Sequence, residues 1–173
     1  VEGLFDNLPA RKNFIKRPAS EALAISKTFI EKALAFPQVN FSLYQDGREK
    51  FILPATNSLK ERFIAAVIEE TAPTKGRGQH VHQIQGQDEG FSLEIVLGSP
   101  NISRNDRRHQ YIFTNGRRIQ EYSFQQALEY GSQGWFPNAS HLIGAVFLYI
   151  DGHLVDFNIH PAKREARFRD GLR

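Results

Sequence analysis

Two hydrophobic periods alternate along this chain, and together they restrict it to a fold that interleaves helices with strands. Apolar residues recur at intervals of three or four over residues 20–36, which predicts a helix whose buried face contains Ala22, Ile25, Phe29, Ala33 and Phe36. A second helix is predicted over residues 59–70. Apolar and polar residues alternate, as in half-buried strands, over residues 39–44 and 91–97. Further strands are predicted over residues 50–53, 79–85, 111–113 and 117–119.

Turn signals separate these segments. Asp46-Gly47 and Asn115-Gly116 are typical of tight hairpin turns between antiparallel strands. Residues 141–150 are almost continuously apolar, which indicates a central strand buried on both faces.

Two capping boxes mark helix starts. Ser58 with Glu61 would begin the helix over residues 59–70, and Ser123 with Gln126 would begin a third helix running through residue 130. Together, these helices, strands and turns predict an α+β fold, a mixed sheet of several strands with helices packed mainly on one face.

Composition fits a single domain. The 173 residues are 40% hydrophobic, which is enough to bury a substantial core, and no apolar run approaches the roughly 20 residues of a membrane span. The chain has no cysteine, so thiol chemistry and disulfides are excluded within it, and no signal peptide is visible; we expect an intracellular location. His80 and His82 would point the same way on a strand, but no third ligand accompanies them, so no metal site is predicted.

The most informative motif lies near the end of the chain, over residues 155–168. Apolar and polar residues alternate from Val155 to His160, and Pro161 then ends the strand because it has no N–H and a fixed φ. Lys163 follows in a turn, where a primary amine in a defined position suits a phosphate. A polar hairpin with a solvated lysine is the alternative that local chemistry leaves open.

This motif, VDFNIHPAKREARF, resembles the V-D-V-N-V-H-P-A-K-x-E-V-R-F signature of the MutL family of DNA mismatch repair ATPases. Residues 4–16, LFDNLPARKNFIK, resemble the family stretch L-F-x-N-x-P-A-R-x-K-F-L-K, and residues 113–119, FTNGRRI, resemble F/Y-V-N-G-R-x-I. Three ordered matches across nearly the whole chain are far more specific than one.

The resemblance implies that residues 1–173 are one transducer domain with the ribosomal protein S5 domain 2-like fold, a piece of a longer protein. The nucleotide-binding motifs of GHKL-type ATPases are missing, so we expect the ATP and Mg²⁺ of the parent protein to be bound mainly by another domain, and the fragment alone to be inactive. In the family, the lysine matching Lys163 contacts the terminal phosphate of ATP. Asn158, His160 and Pro161 are then positioning residues, and the resemblance assigns the general base to a glutamate elsewhere rather than to His160.

The family also implies macromolecular partners: DNA, bound without sequence preference, a mismatch-recognition protein, and a second copy of the parent on ATP binding. Net charge is only +3, but arginines are concentrated between residues 104 and 118. We predict that these arginines contact phosphates along one rim, although a solvated loop is the plain alternative. The predicted DNA-binding residues are Arg104, Arg107, Arg108, Arg117 and Arg118.

Two hypotheses from other classes stay open. A small-molecule kinase of the same general fold would need a Gly-rich phosphate loop, and the sequence has none. A non-catalytic interaction or scaffold module of another GHKL-type ATPase would keep the lysine motif for structural reasons, and replacing Lys163 would then leave nucleotide turnover unchanged.

Overall fold

The computed structural model describes residues 5–15, 17–69, 77–157 and 166–168. Its helices are α1 (Pro9–Lys12), α2 (Pro18–Ala35), α3 (Leu59–Phe63) and α4 (Tyr122–Gly131), and α3 continues into a π-helical turn, Ile64–Ile68. The strands are β1 (Phe41–Gln45), β2 (Arg48–Leu53), β3 (Val81–Asp88), β4 (Phe91–Gly98), β5 (Gln110–Thr114), β6 (Arg117–Ile119), β7 (Gly144–Ile150), β8 (Val155–Asp156) and β9 (Arg167–Phe168).

A five-stranded mixed sheet organises the molecule, with strand order β3-β4-β7-β5-β6. The central strand, β7, runs antiparallel to β4 and parallel to β5. Two small antiparallel ladders, β1 with β2 and β8 with β9, stand apart from this sheet. The predicted central strand is therefore confirmed, and within it Tyr149 alone is exposed.

The main core lies on one face of the sheet. Helices α2 and α3, the π-helical turn and the β1–β2 hairpin pack there against alternate residues of the strands, among them Val96, Phe113 and Phe147. Helix α4 lies on the opposite face, where Phe124 and Leu128 pack against Ile112 and its neighbours. None of the helices in the described ranges is long and apolar enough to cross a membrane.

The hairpin turns form where the sequence predicts them. Asp46-Gly47 joins β1 to β2, and Asn115-Gly116 joins β5 to β6. All four residues have positive φ, between 49° and 74°, which is the conformation that these residue types tolerate best.

The buried face of α2 differs from the prediction. Ile30, Ala33 and Leu34 are buried, whereas Ile25 and Phe36 are exposed. The helix presents only its second half to the core, because β1 and α3 pack beside its C-terminal turns, and periodicity cannot show how far along a helix its partners extend.

The capping boxes also need correction. The Ser58 hydroxyl accepts a hydrogen bond from the Glu61 amide at 3.1 Å, as predicted, but the Glu61 carboxylate accepts from the Thr56 hydroxyl instead of the Ser58 amide. Helix α4 begins one residue before the second predicted cap, so the Ser123 hydroxyl lies inside the helix and donates to the Glu121 carboxylate at 3.2 Å.

Arg62 joins the elements of the main core. Its guanidinium is almost fully buried and donates to four backbone carbonyls from two chain segments, those of Pro37, Val39, Leu53 and Pro54. The first two carbonyls follow α2, and the last two lie at the end of β2.

Candidate functional site

The lysine signature, residues 155–168, begins and ends with two short strands that pair with each other. Val155 of β8 is opposite Phe168 of β9, and Asp156 is opposite Arg167. Asn158, His160, Pro161 and Lys163 themselves lie outside the described residues. The structure therefore describes the two ends of the signature, which pair in one small antiparallel ladder.

Side chains on both sides of the signature are attached to the main sheet. The Arg117 guanidinium carbon lies 4.9 Å from the centroid of the half-buried Phe157 ring, a cation–π contact. On the return side Ala166 is buried, and the Phe168 ring meets the Phe124 ring of α4 edge to face, with centroids 5.6 Å apart. The β5–β6 hairpin and α4 thus fix the two ends of the signature.

The turn that carries Arg117 is itself fixed to the central strand. The Asn115 side-chain amide donates to the Ile150 carbonyl at 2.8 Å, and its oxygen accepts from the Ile150 N–H at 3.0 Å. Through Asn115 and Arg117, the Asn-Gly-Arg motif connects the end of β7 with Phe157, near the start of the signature.

Three of the predicted DNA-binding arginines share the loop that leads into β5. The backbone of Arg104 pairs with His141 in an isolated bridge. The Arg107 guanidinium donates twice to the Glu129 carboxylate of α4, at 2.6 Å each, and Arg108 donates to Asp106 at 2.8 Å. Arg107 and Arg108 remain exposed despite these pairs.

Ion pairs and burial shift the pKa values of three side chains in and beside this loop. The hydrogen bond and charge of Arg108 hold the pKa of Asp106 well below its usual range. Burial is the largest single influence on Glu129 and acts to raise its pKa, but the hydrogen bonds and charge of Arg107, with help from His141, lower it overall. Burial, followed by the charge of Arg104, lowers the pKa of His109. Asp106 of the loop and Glu129 of α4 are therefore ionised at neutral pH, beside a loop histidine, His109, that favours its neutral form.

The remaining two arginines lie on β6, at the other end of β5, and they face opposite sides of the sheet. Arg117 shares its side with Phe157, whereas the Arg118 guanidinium donates to the Gln110 carbonyl at 2.9 Å and lies 3.5 Å from Glu31 of α2. The structure thus groups Arg104, Arg107 and Arg108, separates Arg117 from them by the length of β5, and uses Arg118 to hold β6 against α2.

Across the described ranges, no group of three His, Cys, Asp or Glu side chains is placed to hold a metal ion. His80 ends a 3₁₀ turn and His82 lies on β3.

A groove that the sequence does not predict runs between α4 and the sheet. Its volume is about 730 Å³, and its lining is apolar, including Ile84 and Leu93 on the sheet side and Leu128 and Trp135 on the other. We call this the apolar groove. Phe124 and Leu128 of α4 line this groove and also pack against Ile112 of β5, and the Arg107–Glu129 pair, 22 residues apart, holds α4 to the loop before β5.

Comparison with solved structures identifies the fold. A structure described as the Aquifex aeolicus MutL ATPase domain complexed with ADP aligns with 85% of this chain and 50% of that chain, with a TM-score of 0.59 and 24% identity. A structure described as the N-terminal domain of a DNA repair protein aligns with 95% of this chain and 53% of that one, with a TM-score of 0.68 and 16% identity. The fold class expected from the sequence, α+β with the mixed sheet of this group, is confirmed.

Sequence comparison then identifies the family. The family model described as "DNA mismatch repair protein, C-terminal domain" matches residues 73–172. The DNA mismatch repair protein MutL of Treponema pallidum is 39% identical over 170 residues, and that of Brucella abortus is 34% identical over 172; each match covers 98% of this chain and 27% of the relative. This chain belongs to the MutL family of DNA mismatch repair proteins. It spans about a quarter of the length of these relatives.

Proposed function

We propose that this chain is the transducer domain of a MutL-type mismatch repair ATPase and that it contributes Lys163 to an ATP site formed mainly by another part of the longer protein. The observation that carries the proposal is that β8 and β9, the two ends of the signature, pair with each other, and that Phe157, directly after β8, contacts Arg117 of the main sheet. The family match over 98% of the chain supports the same assignment.

The chemical role of Lys163 follows from its charge. The bound nucleotide supplies the triphosphate, and an ammonium at its terminal phosphate neutralises charge there and on the group being transferred. Asn158, His160 and Pro161 set the path of the backbone that delivers this ammonium. ATP and Mg²⁺ are bound mainly by another domain of the longer protein, and this chain contributes the positive charge of Lys163 to that site.

The same interaction gives a means of signalling nucleotide state. Lys163 meets the terminal phosphate in ATP and has no such partner with ADP, so the two nucleotides favour different arrangements of the domains. The signal has a route into the sheet, because Phe157, near the start of the signature, contacts Arg117, whose hairpin is bonded to β7 through Asn115. We further propose that the longer protein dimerises on ATP binding and responds to a mismatch-recognition partner.

Replacing Lys163 by alanine tests the interaction with nucleotide. We expect steady-state ATP turnover by the N-terminal half of the longer protein to fall at least about tenfold, equivalent to about 1.4 kcal/mol of barrier, because a charge at the phosphate is removed. Lys27→Ala, an exposed lysine on α2, is the matched control and should leave turnover unchanged.

Thermal melts of both variants, compared with the wild type, check that a fall in turnover does not come from unfolding. Equal turnover by wild type and Lys163→Ala would contradict the proposal and favour a scaffold module, in which the signature is structural.

We also propose that the exposed Arg107, Arg108 and Arg117, with the half-buried Arg104, bind DNA without reading sequence. Arg104, Arg107 and Arg108 on one loop, with Arg117 beyond the other end of β5, offer cations to backbone phosphates. Among the predicted arginines, Arg118 is the least suited to contact DNA, because its guanidinium is directed to backbone carbonyls and Glu31.

A further inference from the structure

The outer edge of β3 lacks the features that protect exposed strands. β3 is a terminal strand of the sheet, and no strand in the described ranges pairs with its free side. Its eight residues run in unbroken register with β4, without a bulge, and include no lysine, arginine or proline. Edge strands of soluble proteins are usually short, bulged or charged, because a long regular edge invites pairing with another strand.

The opposite edge of the same sheet shows the contrast. β6 has only three residues, and two of them are Arg117 and Arg118. The β6 edge is therefore protected against pairing with another strand by its short length and its charge, and the β3 edge is not.

The sheet face beside β3 is also incompletely covered. Ile84 is 53% exposed, and it lines the apolar groove together with Leu93, Ile95 and Leu97 of β4. An additional strand at the β3 edge would extend this face and place alternate side chains next to Ile84.

The sequence of β3 indicates which strand fits there. We infer that β3 pairs antiparallel with β3 of a second copy of this chain, about a two-fold axis at Gln85. In this register the strand complements itself: His82 faces the partner's Asp88, Gln83 faces the partner's Gln87, Ile84 faces the partner's Gly86, and Gln85 faces itself.

Each of these pairs is chemically favourable. An imidazole N–H can donate to a carboxylate whether or not the histidine is protonated, so the two outer pairs bring opposite or hydrogen-bonding groups together. Glutamine side chains meet on the other face, where the Gln83 amide also donates to the Glu94 carboxylate of β4 and keeps its oxygen and second N–H for the partner's Gln87. The space above Gly86 is open, with no atom within 4 Å of a built Cβ, so Ile84 of the partner has room to cover its backbone.

The result is one continuous sheet formed from two five-stranded sheets, with the two apolar grooves on the same face and the two Ile84 side chains near the axis. The pairing goes beyond the proposed function, since it requires neither nucleotide nor the rest of the longer protein. It buries little more than two strand edges, so we expect a weak, concentration-dependent dimer of the transient class.

Single cysteines test the register, because the chain has none of its own. Gln85→Cys places two thiols directly opposite, within the Cα separation that a disulfide requires, so mild oxidation with diamide should give a covalent dimer, with two thiols losing their protons and electrons to the oxidant. Gln83→Cys and Gln87→Cys are matched controls. Each should crosslink poorly alone, since the two copies of either position lie about 13 Å apart along the strands, but an equimolar mixture of the two should crosslink well.

A charge exchange tests the outer pairs. Sedimentation equilibrium of the 173-residue chain should show a dissociation constant about tenfold weaker for Asp88→Arg, since two favourable pairs are removed per dimer. The double variant His82→Asp with Asp88→His should restore it, because the pair is exchanged between strands. All these positions are exposed, and circular dichroism checks that the variants fold.

Two outcomes would overturn the inference. The first is a disulfide yield for Gln85→Cys no greater than that for Gln83→Cys. The second is a chain that sediments as a monomer over the whole soluble concentration range; binding of β3 to an extended segment of another protein would then be the remaining use of this edge.

Discussion

Arg62 is a buried cation whose hydrogen-bond acceptors, among the residues that the structure describes, are backbone carbonyl oxygens. Its distances to them run from 2.6 to 3.1 Å. Burial lowers the pKa of the guanidinium, yet an arginine starts so high that it stays charged at neutral pH. A planar group with five N–H donors can donate to all four of these carbonyls, whereas the ammonium of a lysine has only three donors. The residue therefore serves the packing of α2, β2 and α3 rather than any ligand.

Replacing Arg62 by methionine should destabilise the chain severely. The Leu53 carbonyl would be left buried without this donor, and the carbonyls of Val39 and Pro54 would be left partly buried without it, at about 1–3 kcal/mol for a buried group and less for a partly exposed one. We therefore expect a decrease of at least about 2 kcal/mol in the free energy of unfolding by urea. Arg48→Met, an exposed arginine on β2, is the control and should change stability by less than about 0.5 kcal/mol. Similar decreases for both variants would show that the hydrogen bonds to the carbonyls contribute little.

At the scale of elements, the two tight turns show how similar sequences acquire different roles. Asp46-Gly47 and Asn115-Gly116 have nearly the same backbone conformation. Asn115 also bonds both backbone groups of Ile150 through its side chain. The first turn closes a local hairpin, and the second attaches a hairpin to the central strand.

This difference can be measured by paired alanine substitutions. Asp46→Ala and Asn115→Ala both place alanine at positive φ, so their backbone penalties are matched. We expect Asn115→Ala to cost about 1–3 kcal/mol more in unfolding free energy, because the Ile150 N–H and carbonyl are left without their partners. Equal costs in chemical denaturation would mean that the hydrogen bonds between Asn115 and β7 add no stability.

Elements whose partners are near in sequence can be predicted, and those with distant partners cannot. The β1–β2 and β5–β6 hairpins follow from alternation and turn residues alone. The predicted buried stripe of α2 is wrong at Ile25 and Phe36, because burial there depends on where β1 and α3 pack. The predicted cap at Ser123 is also wrong, since Glu121 occupies that position.

For the candidate site, the sequence supplies the signature and the Asn-Gly-Arg motif as separate features. Nothing in the pattern indicates that Arg117 contacts Phe157, 40 residues later in the chain, or that Arg107 pairs with Glu129. Both interactions result from tertiary packing, which brings α4 and the β8–β9 ladder onto one face of the sheet.

At the scale of the whole molecule, the DNA prediction depends on where the positive charges lie, and not only on the net charge. Arg107→Glu with Arg108→Glu should weaken binding to duplex DNA in low salt and reduce the slope of log affinity against log salt by about 0.9 for each phosphate that is no longer neutralised. Arg48→Glu with Lys50→Glu, on the β1–β2 hairpin, makes the same change in net charge elsewhere and is the control. Fluorescence anisotropy with a labelled duplex gives both quantities. Equal effects of the two pairs would show that net charge alone, rather than this loop, attracts DNA.

The position of β7 has a consequence for how the chain assembles. β7 pairs with β4 and with β5, and its partners in β4 lie far earlier in the chain, with Leu97 opposite Gly144 and Phe91 opposite Ile150. During synthesis the β3–β4 and β5–β6 hairpins can form locally, but they remain two separate pieces, each with an unpaired inner edge, until residues 144–150 emerge and insert between them. The sheet can therefore be completed only shortly before the segment that carries Lys163 is synthesised, so the signature follows directly on the strand that joins the two hairpins into one sheet.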